Sequence, residues 1–312
     1  MKTALVTGAA GFIGSNLSGT LLDRGYAVVG IDNFETGRRK NISRLETEDS
    51  FTFVEGNIRN REDVESAIKD IDYVFHQAAV PSVPRSVEDP VTSTDANCTG
   101  TAVVLDAARK ASVDTVVVAS SSSVYGSSEE LPKVETMPTA PESPYALSKY
   151  YTEQLAMQCS ELYDIDTVAL RYFNIFGPYQ DPEGAYAAVI PKFIGLMDDG
   201  ERPVIYGDGK QSRDFTYIDN AVDANIRAAE RDVSGETFNV GCGRQITVNE
   251  LVETLNEKLG TEIDPIYDDP RPGDVRHSTA DISKAREQLG YEPTVDFETG
   301  IERTIAALTD QS

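Results

Sequence analysis

The sequence predicts an α/β protein: a doubly wound parallel sheet with a smaller C-terminal α/β substrate-binding domain. Three observations carry that prediction. A glycine-rich turn, Gly8-Ala-Ala-Gly11-Phe-Ile-Gly14, joins a short apolar run to an amphipathic stretch. Strand-sized apolar runs then alternate with helical stretches, the pattern of a parallel sheet covered on both faces. Finally, Ser143-Pro-Tyr-Ala-Leu-Ser-Lys149 opens a helix that carries Tyr145 and Lys149 on one face.

The elements follow in order. Lys2 to Thr7 reads as a buried strand and the stretch to about Gly25 as a helix. Ala27 to Ile31 is a second strand, ending on Asp32. Phe51 to Val54 is a strand, followed by a helix from about Glu62 and a strand at Tyr73 to Phe75. Asp89 to Ala111 reads mainly as helix, Thr115 to Ala119 as strand, Tyr145 to Leu162 as helix and Thr167 to Leu170 as strand. Ser143 is placed to cap its helix, and Pro144 fits the first turn, where no backbone donor is needed. Beyond Arg171 glycine and proline thicken. Helices are expected at Tyr186 to Met197, Asn220 to Ala229, Val248 to Leu259 and Phe297 to Leu308. Residues 1–173 therefore read as a nucleotide-binding domain, to which the chain returns around 214–240, and residues 174–312 as a substrate-binding lid. The site belongs between them, beyond the C-terminal ends of the strands.

Composition excludes several classes. There are 52 acidic against 28 basic residues, a net charge of −24 spread along the whole chain. That argues against nucleic-acid or anionic-membrane partners. It suggests a surface adapted to high salt, where screening over ~3 Å quenches self-repulsion. No apolar run approaches membrane-spanning length and no signal peptide is read, so a cytoplasmic protein is expected. Cys98, Cys159 and Cys242 are odd in number, scattered and without metal spacing, and read as free thiols; no metal site is expected.

The glycine turn lets backbone approach a pyrophosphate at a helix N-terminus. Its spacing, GxxGxxG, is one residue longer than the usual dinucleotide fingerprint. Asp32 on the second strand can accept from both adenosine ribose hydroxyls and would repel a 2′-phosphate, which favours NAD over NADP. Arg38 and Arg39 lie near enough in sequence to weaken that preference, or are an ordinary surface pair. A tyrosine titrates near ~10, and an ammonium four residues away favours its phenolate, a usable base. By itself, the same pair is what a solvated helix face presents.

With the glycine turn, the Ser120-Ser-Ser-Ser-Val-Tyr-Gly126 run and the Tyr145/Lys149 pair in this order, the chain resembles the extended short-chain dehydrogenase/reductase family, from Lys2 to about Leu308. Its fold would then be Rossmann-type. Within the family it looks most like the UDP-sugar 4-epimerases, in particular those accepting UDP-N-acetylhexosamines. The residues that carry this likeness are His76-Gln-Ala-Ala79, Ser82-Val-Pro-Arg-Ser86, Arg171-Tyr-Phe-Asn174, Gly184 to Pro191, Gly207-Asp-Gly209, Ser212-Arg-Asp-Phe215 and Arg271 to Ser278. The resemblance implies that Gly8, Gly11, Phe12, Ile13, Gly14, Asp32 and Asn33 hold the NAD. Asn57 and Ile58 would flank the adenine, Asn57 standing where the family usually has Asp. Gln77, Ala78, Ala79 and Tyr172 would line the cofactor and Asn97 would support it. Lys149 would bind the nicotinamide ribose and lower the Tyr145 pKa; Ser121 would meet the sugar 4-oxygen, with Ser123 a second catalytic hydroxyl nearby. Ser82 would contact substrate, Asn174 a diphosphate oxygen, and Ala188, Val189 and Phe193 the uracil. Arg213 and Arg271 would clamp the diphosphate and Asp274 the uridine ribose. Without the resemblance, Arg213 and Arg271 read as surface arginines paired with Asp214 and Asp274.

The implied reaction is NAD-dependent 4-epimerisation of UDP-GlcNAc/UDP-GalNAc and UDP-Glc/UDP-Gal. The family's 4,6-dehydratases carry an Asp-Glu pair where Ser122 and Ser123 stand here, and simple epimerisation needs no extra acid. Ser278 occupies the position that gates the pocket against a 2-N-acetyl group, and a serine leaves room. The alternatives are a UDP-glucuronate 4-epimerase, a nucleotide-sugar 4-ketoreductase and, from another class, a non-catalytic NAD-binding regulator. His76 and His277 read as packing residues. By resemblance a homodimer is expected, through a four-helix bundle of the helices near Asn97 to Ala111 and Tyr145 to Leu162.

Overall fold

A computed structural model describes residues 1–182, 188–270 and 275–309. The strands β1 (Thr3–Thr7), β2 (Ala27–Asp32), β3 (Phe51–Glu55), β4 (Tyr73–His76), β5 (Thr115–Ser121) and β6 (Asp166–Tyr172) form a parallel sheet, with Glu236–Val240 as a seventh strand beside β6. The order across the sheet is Glu236–Val240, β6, β5, β4, β1, β2, β3. The direction of winding reverses between β1 and β4, which opens a crevice at their C-terminal ends.

Period-two alternation explains how a continuous apolar run serves two faces. Ala4 and Val6 pack into one apolar cluster and Leu5 into the other; Val117 and Ala119 likewise oppose Val116 and Val118. The cluster holding Val6 and Val117 runs on through Phe176, Leu251 and Ile301, so the C-terminal part shares a core with one face of the sheet. Phe176, Tyr217, Phe215 and Phe297 lock that junction, with ring centroids 5.7 Å apart for Phe176–Tyr217 and 5.8 Å for Phe215–Phe297.

Helix α1 (Phe12–Asp23) follows the glycine turn, and α2 (Arg39–Ser43) is a short helix beyond Asp32. Asn60 caps α3 (Arg61–Ala67) by accepting from the Glu62 N–H. The single helix expected over Asp89 to Ala111 is instead divided into α5 (Pro90–Thr94), a π-helical turn at Asp95–Thr99 and α6 (Gly100–Ala111), with an extra helix, α4 (Val83–Glu88), before it. Pro84 and Pro90 start α4 and α5, and Asp89, at φ −133°, ends one and caps the other. Helix α7 (Pro144–Leu162) is capped as expected: Ser143 Oγ accepts from the Ala146 N–H at 3.1 Å. Its inner face carries the buried polar residues Ser148, Lys149, Thr152 and Glu153, because it lies against the site rather than only against the core. The helix expected from Tyr186 starts at Val189 among the described residues; Tyr186 itself lies outside them. Ser283–Leu289 is a further short helix. No described helix is long and apolar enough to cross a membrane.

Candidate active site

A cleft of about 1180 Å³ runs along the C-terminal edge of the sheet, over the reversal between β1 and β4. At one end is the glycine turn. Gly8 has φ +71°, a conformation that favours glycine, and a Cβ there would stand 2.8 Å from Ala78 Cα. A Cβ on Gly14 would stand 2.1 Å from the Gly8 oxygen. The turn therefore lies closer to the loop after β4, and α1 closer to the turn, than any side chain allows. Gly11 caps α1 with no side-chain hydrogen bond, so the helix presents bare N–H groups to the cleft. This is a cradle for an anion, and Phe12, Ile13 and Gly14 line it.

Asp32 closes this end. It is buried, and its oxygens accept from Ala10 N at 3.0 Å and Phe34 N at 2.7 Å. Burial pushes its carboxyl up while these backbone donors hold it down. Asn33 lines the cleft and accepts from the Glu35 N–H. Arg38 lines it as well and pairs with Asp181 across the opening, whereas Arg39 turns away to Glu46 and Glu55. Asn57 and Ile58 lie in the wall. The Asn57 amide oxygen accepts from Arg59 N at 3.0 Å and Arg59 Nε at 3.1 Å.

The other end is built from side chains. Ser121 ends β5, and its Oγ accepts from Ser123 N at 3.2 Å and Ser123 Oγ at 2.9 Å. Tyr145, Ser121 and Ser123 all line the cleft. The Tyr145 backbone N–H donates to Ser86 Oγ at 3.0 Å, which seats α7 against α4. Burial raises the Tyr145 phenol, and the neighbouring Ser121 hydroxyl pulls it the other way. The expected pull of Lys149 on that phenol does not set the direction. Lys149 is itself buried; its Nζ stands 6.0 Å from the Tyr145 ring centre and donates to Ala119 O at 2.9 Å. Desolvation brings its pKa down to about 8.

Support comes from residues far apart in sequence. Asn97, on the π turn, accepts from Val80 N at 2.8 Å and donates to Ser148 Oγ at 2.9 Å, and Ser148 returns to Tyr145 O at 2.8 Å. It sits behind the wall and ties the loop after β4 to α7. Gln77, Ala78, Ala79 and Tyr172 line the cleft; the Tyr172 hydroxyl and Gln77 meet at 3.0 Å, and both bond Asn225. His76 is fully packed between Thr7 and Thr101, at 2.8 and 3.0 Å, and burial drops its pKa to about 3. Under β5, Arg171 and Glu153 form a buried pair at 2.6 Å, and Ser120 donates to the same carboxylate. Sequence reasoning missed Asn225 and Glu153, which fall in no local motif, and it named Ser86 and Arg171 within motifs without giving either a role.

Toward the C-terminal part, Ser82, Asn174, Ala188, Arg213 and Ser278 reach the cleft wall. Asn174 takes φ +31°, a value Asn tolerates better than most residues. Val189 and Phe193 do not line the wall; Phe193 is turned into the apolar core of its helix. Asp214 is not spent on Arg213: its oxygens accept from Cys242, Gly243 and Ala280 N–H groups, and burial lifts its pKa to about 6. Arg271 and Asp274 lie outside the described residues. Among the described residues no group of His, Cys, Asp or Glu could hold a metal ion.

A bare helix N-terminus at the switch point of a parallel sheet, faced by a tyrosine–lysine helix, is the arrangement of a short-chain dehydrogenase/reductase. The chain belongs to the family whose model is described as GDP-mannose 4,6 dehydratase, which matches residues 5–304. A UDP-glucose 4-epimerase of Mycolicibacterium smegmatis is 39% identical over 315 residues, covering 100% of both chains. The UDP-N-acetylglucosamine 4-epimerase of Methanobrevibacter ruminantium, solved with UDP-N-acetylmuramic acid, superimposes with TM-score 0.96 at 40% identity, covering 100% of this chain and 99% of that one. A UDP-glucuronic acid 4-epimerase of Bacillus cereus, solved with UDP-glucuronic acid and NAD, gives 0.92 at 34% identity, covering 99% and 100%.

Proposed function

We propose that the protein is an NAD-dependent UDP-hexose 4-epimerase acting on UDP-GlcNAc/UDP-GalNAc and UDP-Glc/UDP-Gal. The observation that carries this reading is the reacting end of the cleft. Tyr145 and Ser121 meet there, and Ser122 and Ser123 stand where a dehydratase of this family needs acids. NAD, when bound, accepts hydride from C4 of the sugar and returns it to the opposite face. The glycine turn and α1 hold its pyrophosphate and Asp32 its ribose. Tyr145 takes the proton of the 4-hydroxyl and gives it back after the 4-keto sugar has turned over. Ser121 orients the 4-oxygen. Lys149, fixed at Ala119, supplies a positive charge beside the reacting centre. The segment 174–312, less the strand it returns to the sheet, holds the nucleotide, with Asn174 and Arg213 toward the diphosphate.

The test is proton NMR of the purified protein with UDP-GlcNAc or UDP-glucose and no added cofactor. Growth of the galacto anomeric signal is expected. No change with either sugar, even after NAD is added, overturns the reading and moves UDP-glucuronate, or a ketoreductase consuming exchangeable NAD(P)H, to the front. Tyr145→Phe is expected to lose about 10²–10⁴-fold in kcat while still binding UDP-sugar.

The reading includes a homodimer, which the exposed surface of α4, α5 and α7 supports. Val87, Val91, Leu147, Tyr151 and Leu162 are exposed there, whereas Val104 and Leu105 of α6 are buried within the subunit. Sedimentation equilibrium showing only monomer at micromolar concentration would sink this. The acid excess supports a salt-adapted surface; an unchanged melting temperature between low and molar salt counts against it.

A further inference from the structure

Lys133 is a buried ammonium in the wall of the cleft, outside every motif named above. It is 2% exposed, yet it lines the cleft with Gly126, Ser143 and Ser278. Gly126 lies three residues after Ser123 and Ser143 two before Tyr145, so this wall stands beside the reacting centre. The ammonium has three donors, and among the described residues it uses one, to the Ser128 carbonyl. No carboxylate neutralises it directly. Glu130 acts on it only through its field, and Glu142, also in the wall, accepts instead from Ser127 N and Oγ. Burying a charge with one partner is expensive.

The backbone fixes where that charge points. Lys133 N donates to Thr279 O at 2.7 Å and Asp281 N to Lys133 O at 2.8 Å, a parallel bridge to Ala280. Asn239 Nδ2 donates to the same Lys133 carbonyl at 2.8 Å, and Asn239 Oδ1 accepts from Tyr125, which Arg171 holds in turn. Residues two apart on an extended strand share a side, so the bridge to Ala280 places Lys133 beside Ser278.

We propose that Lys133 is a specificity-determining residue whose ammonium donates to the acyl oxygen of a 2-acylamino group on the hexose. This rests on the UDP-hexose reading of the site. A small hydroxyl at Ser278 leaves space at that wall, and Lys133 turns the space into recognition. An amide oxygen is a stronger acceptor than a hydroxyl and is matched by a charged donor.

The experiment compares kcat/KM of wild type and Lys133→Met on UDP-GlcNAc and UDP-glucose, with melting temperature as the control for folding. Lys133→Met is expected to lose roughly tenfold or more on UDP-GlcNAc and less than about threefold on UDP-glucose. Lys133→Gln, which keeps a neutral donor, should fall between and decides the matter if the Met variant does not fold. Equal losses on both sugars, or a loss confined to UDP-glucuronate, overturn the proposal. Wild type active on UDP-glucose but not on UDP-GlcNAc overturns it alone; wild type inactive on both overturns the functional reading with it.

Discussion

The two ends of the cleft are made in opposite ways. At the glycine end the main chain does the work: helix N–H groups, a left-handed Gly8, and close approaches of Gly8 to Ala78 and of Gly14 to the Gly8 carbonyl that any Cβ would break. Among the described side chains there, Asp32 is buried and held by two backbone donors. At the tyrosine end the main chain only delivers side chains. Ser121, Tyr145 and Lys149 arrive on β5 and α7, and each is held by partners from elsewhere in the chain. A backbone site fails through shape; a side-chain site fails through charge. The two ends should therefore respond differently to substitution.

Lys149→Met tests the charged end. Its folded pKa, about 8, lies below the ordinary 10.5, so the fold disfavours the ammonium. That cost is full below pH 8 and disappears as pH rises through 10.5. The variant should lose about 10²–10³-fold in kcat, the usual size of a lost electrostatic donor. It should also gain roughly 1–3 kcal/mol of stability at neutral pH, a gap that closes in alkali. A variant both inactive and less stable in denaturant titrations would show that Lys149 is structural rather than kept for chemistry.

Gly14→Ala tests the backbone end. Alanine is the better helix former by about 1 kcal/mol, so α1 itself should not suffer. Its methyl must displace the Gly8 carbonyl, from a starting separation of 2.1 Å. The purified protein should carry no extractable dinucleotide, and turnover without added cofactor should fall about 10²-fold or more. Retained dinucleotide, measured after denaturation, would break the contrast between the ends.

The sequence made one end legible and left the other half hidden, for the same reason. A backbone site needs glycines in a fixed local order, and GxxGxxG after a strand can be read directly. Strands buried on both faces are continuous apolar runs, so β1, β4 and β5 were legible too, whereas the edge strand β3, with Thr52 and Glu55 exposed, was legible from Phe51, Phe53 and Val54. Glu236–Val240 was harder, since Glu-Thr-Phe-Asn-Val alternates like a half-exposed strand; only its pairing with β6 places it in the main sheet. The side-chain end depends on partners that sequence does not bring together: Asn225 on Gln77, Glu153 on Arg171, Lys133 beside Ser278. The packing of Phe193 into the core was hidden as well, because helical spacing does not say which side of Val189–Asp198 faces the cleft. The π turn that aims Asn97 has no residue signature of its own.

His76 joins the two ends and gives the smallest of these effects. Thr7 bonds its Nδ1 and also accepts from Ala78 N, the residue packed on Gly8; Thr101, which bonds Nε2, sits against Thr152 of α7. The ring is neutral in the fold. Burial, with the Lys149 charge adding to it, drops its pKa to about 3 from an ordinary 6.5. A depressed folded pKa means that stability is full above 6.5 and is lost as pH falls toward 3, because the unfolded chain takes up the proton first. The loss from this residue is about 1.4 kcal/mol per pH unit below 6.5. His76→Gln can keep both threonine contacts and cannot titrate, so its stability should fall less steeply from pH 6.5 to 5 by that amount. Carboxylates elsewhere titrate equally in both proteins, so the difference between the two denaturation series isolates the ring. Parallel acid limbs would mean that His76 is protonated inside the fold. The joint between the two ends would then be held by charge, and the contrast between a backbone site and a side-chain site would have to be drawn elsewhere.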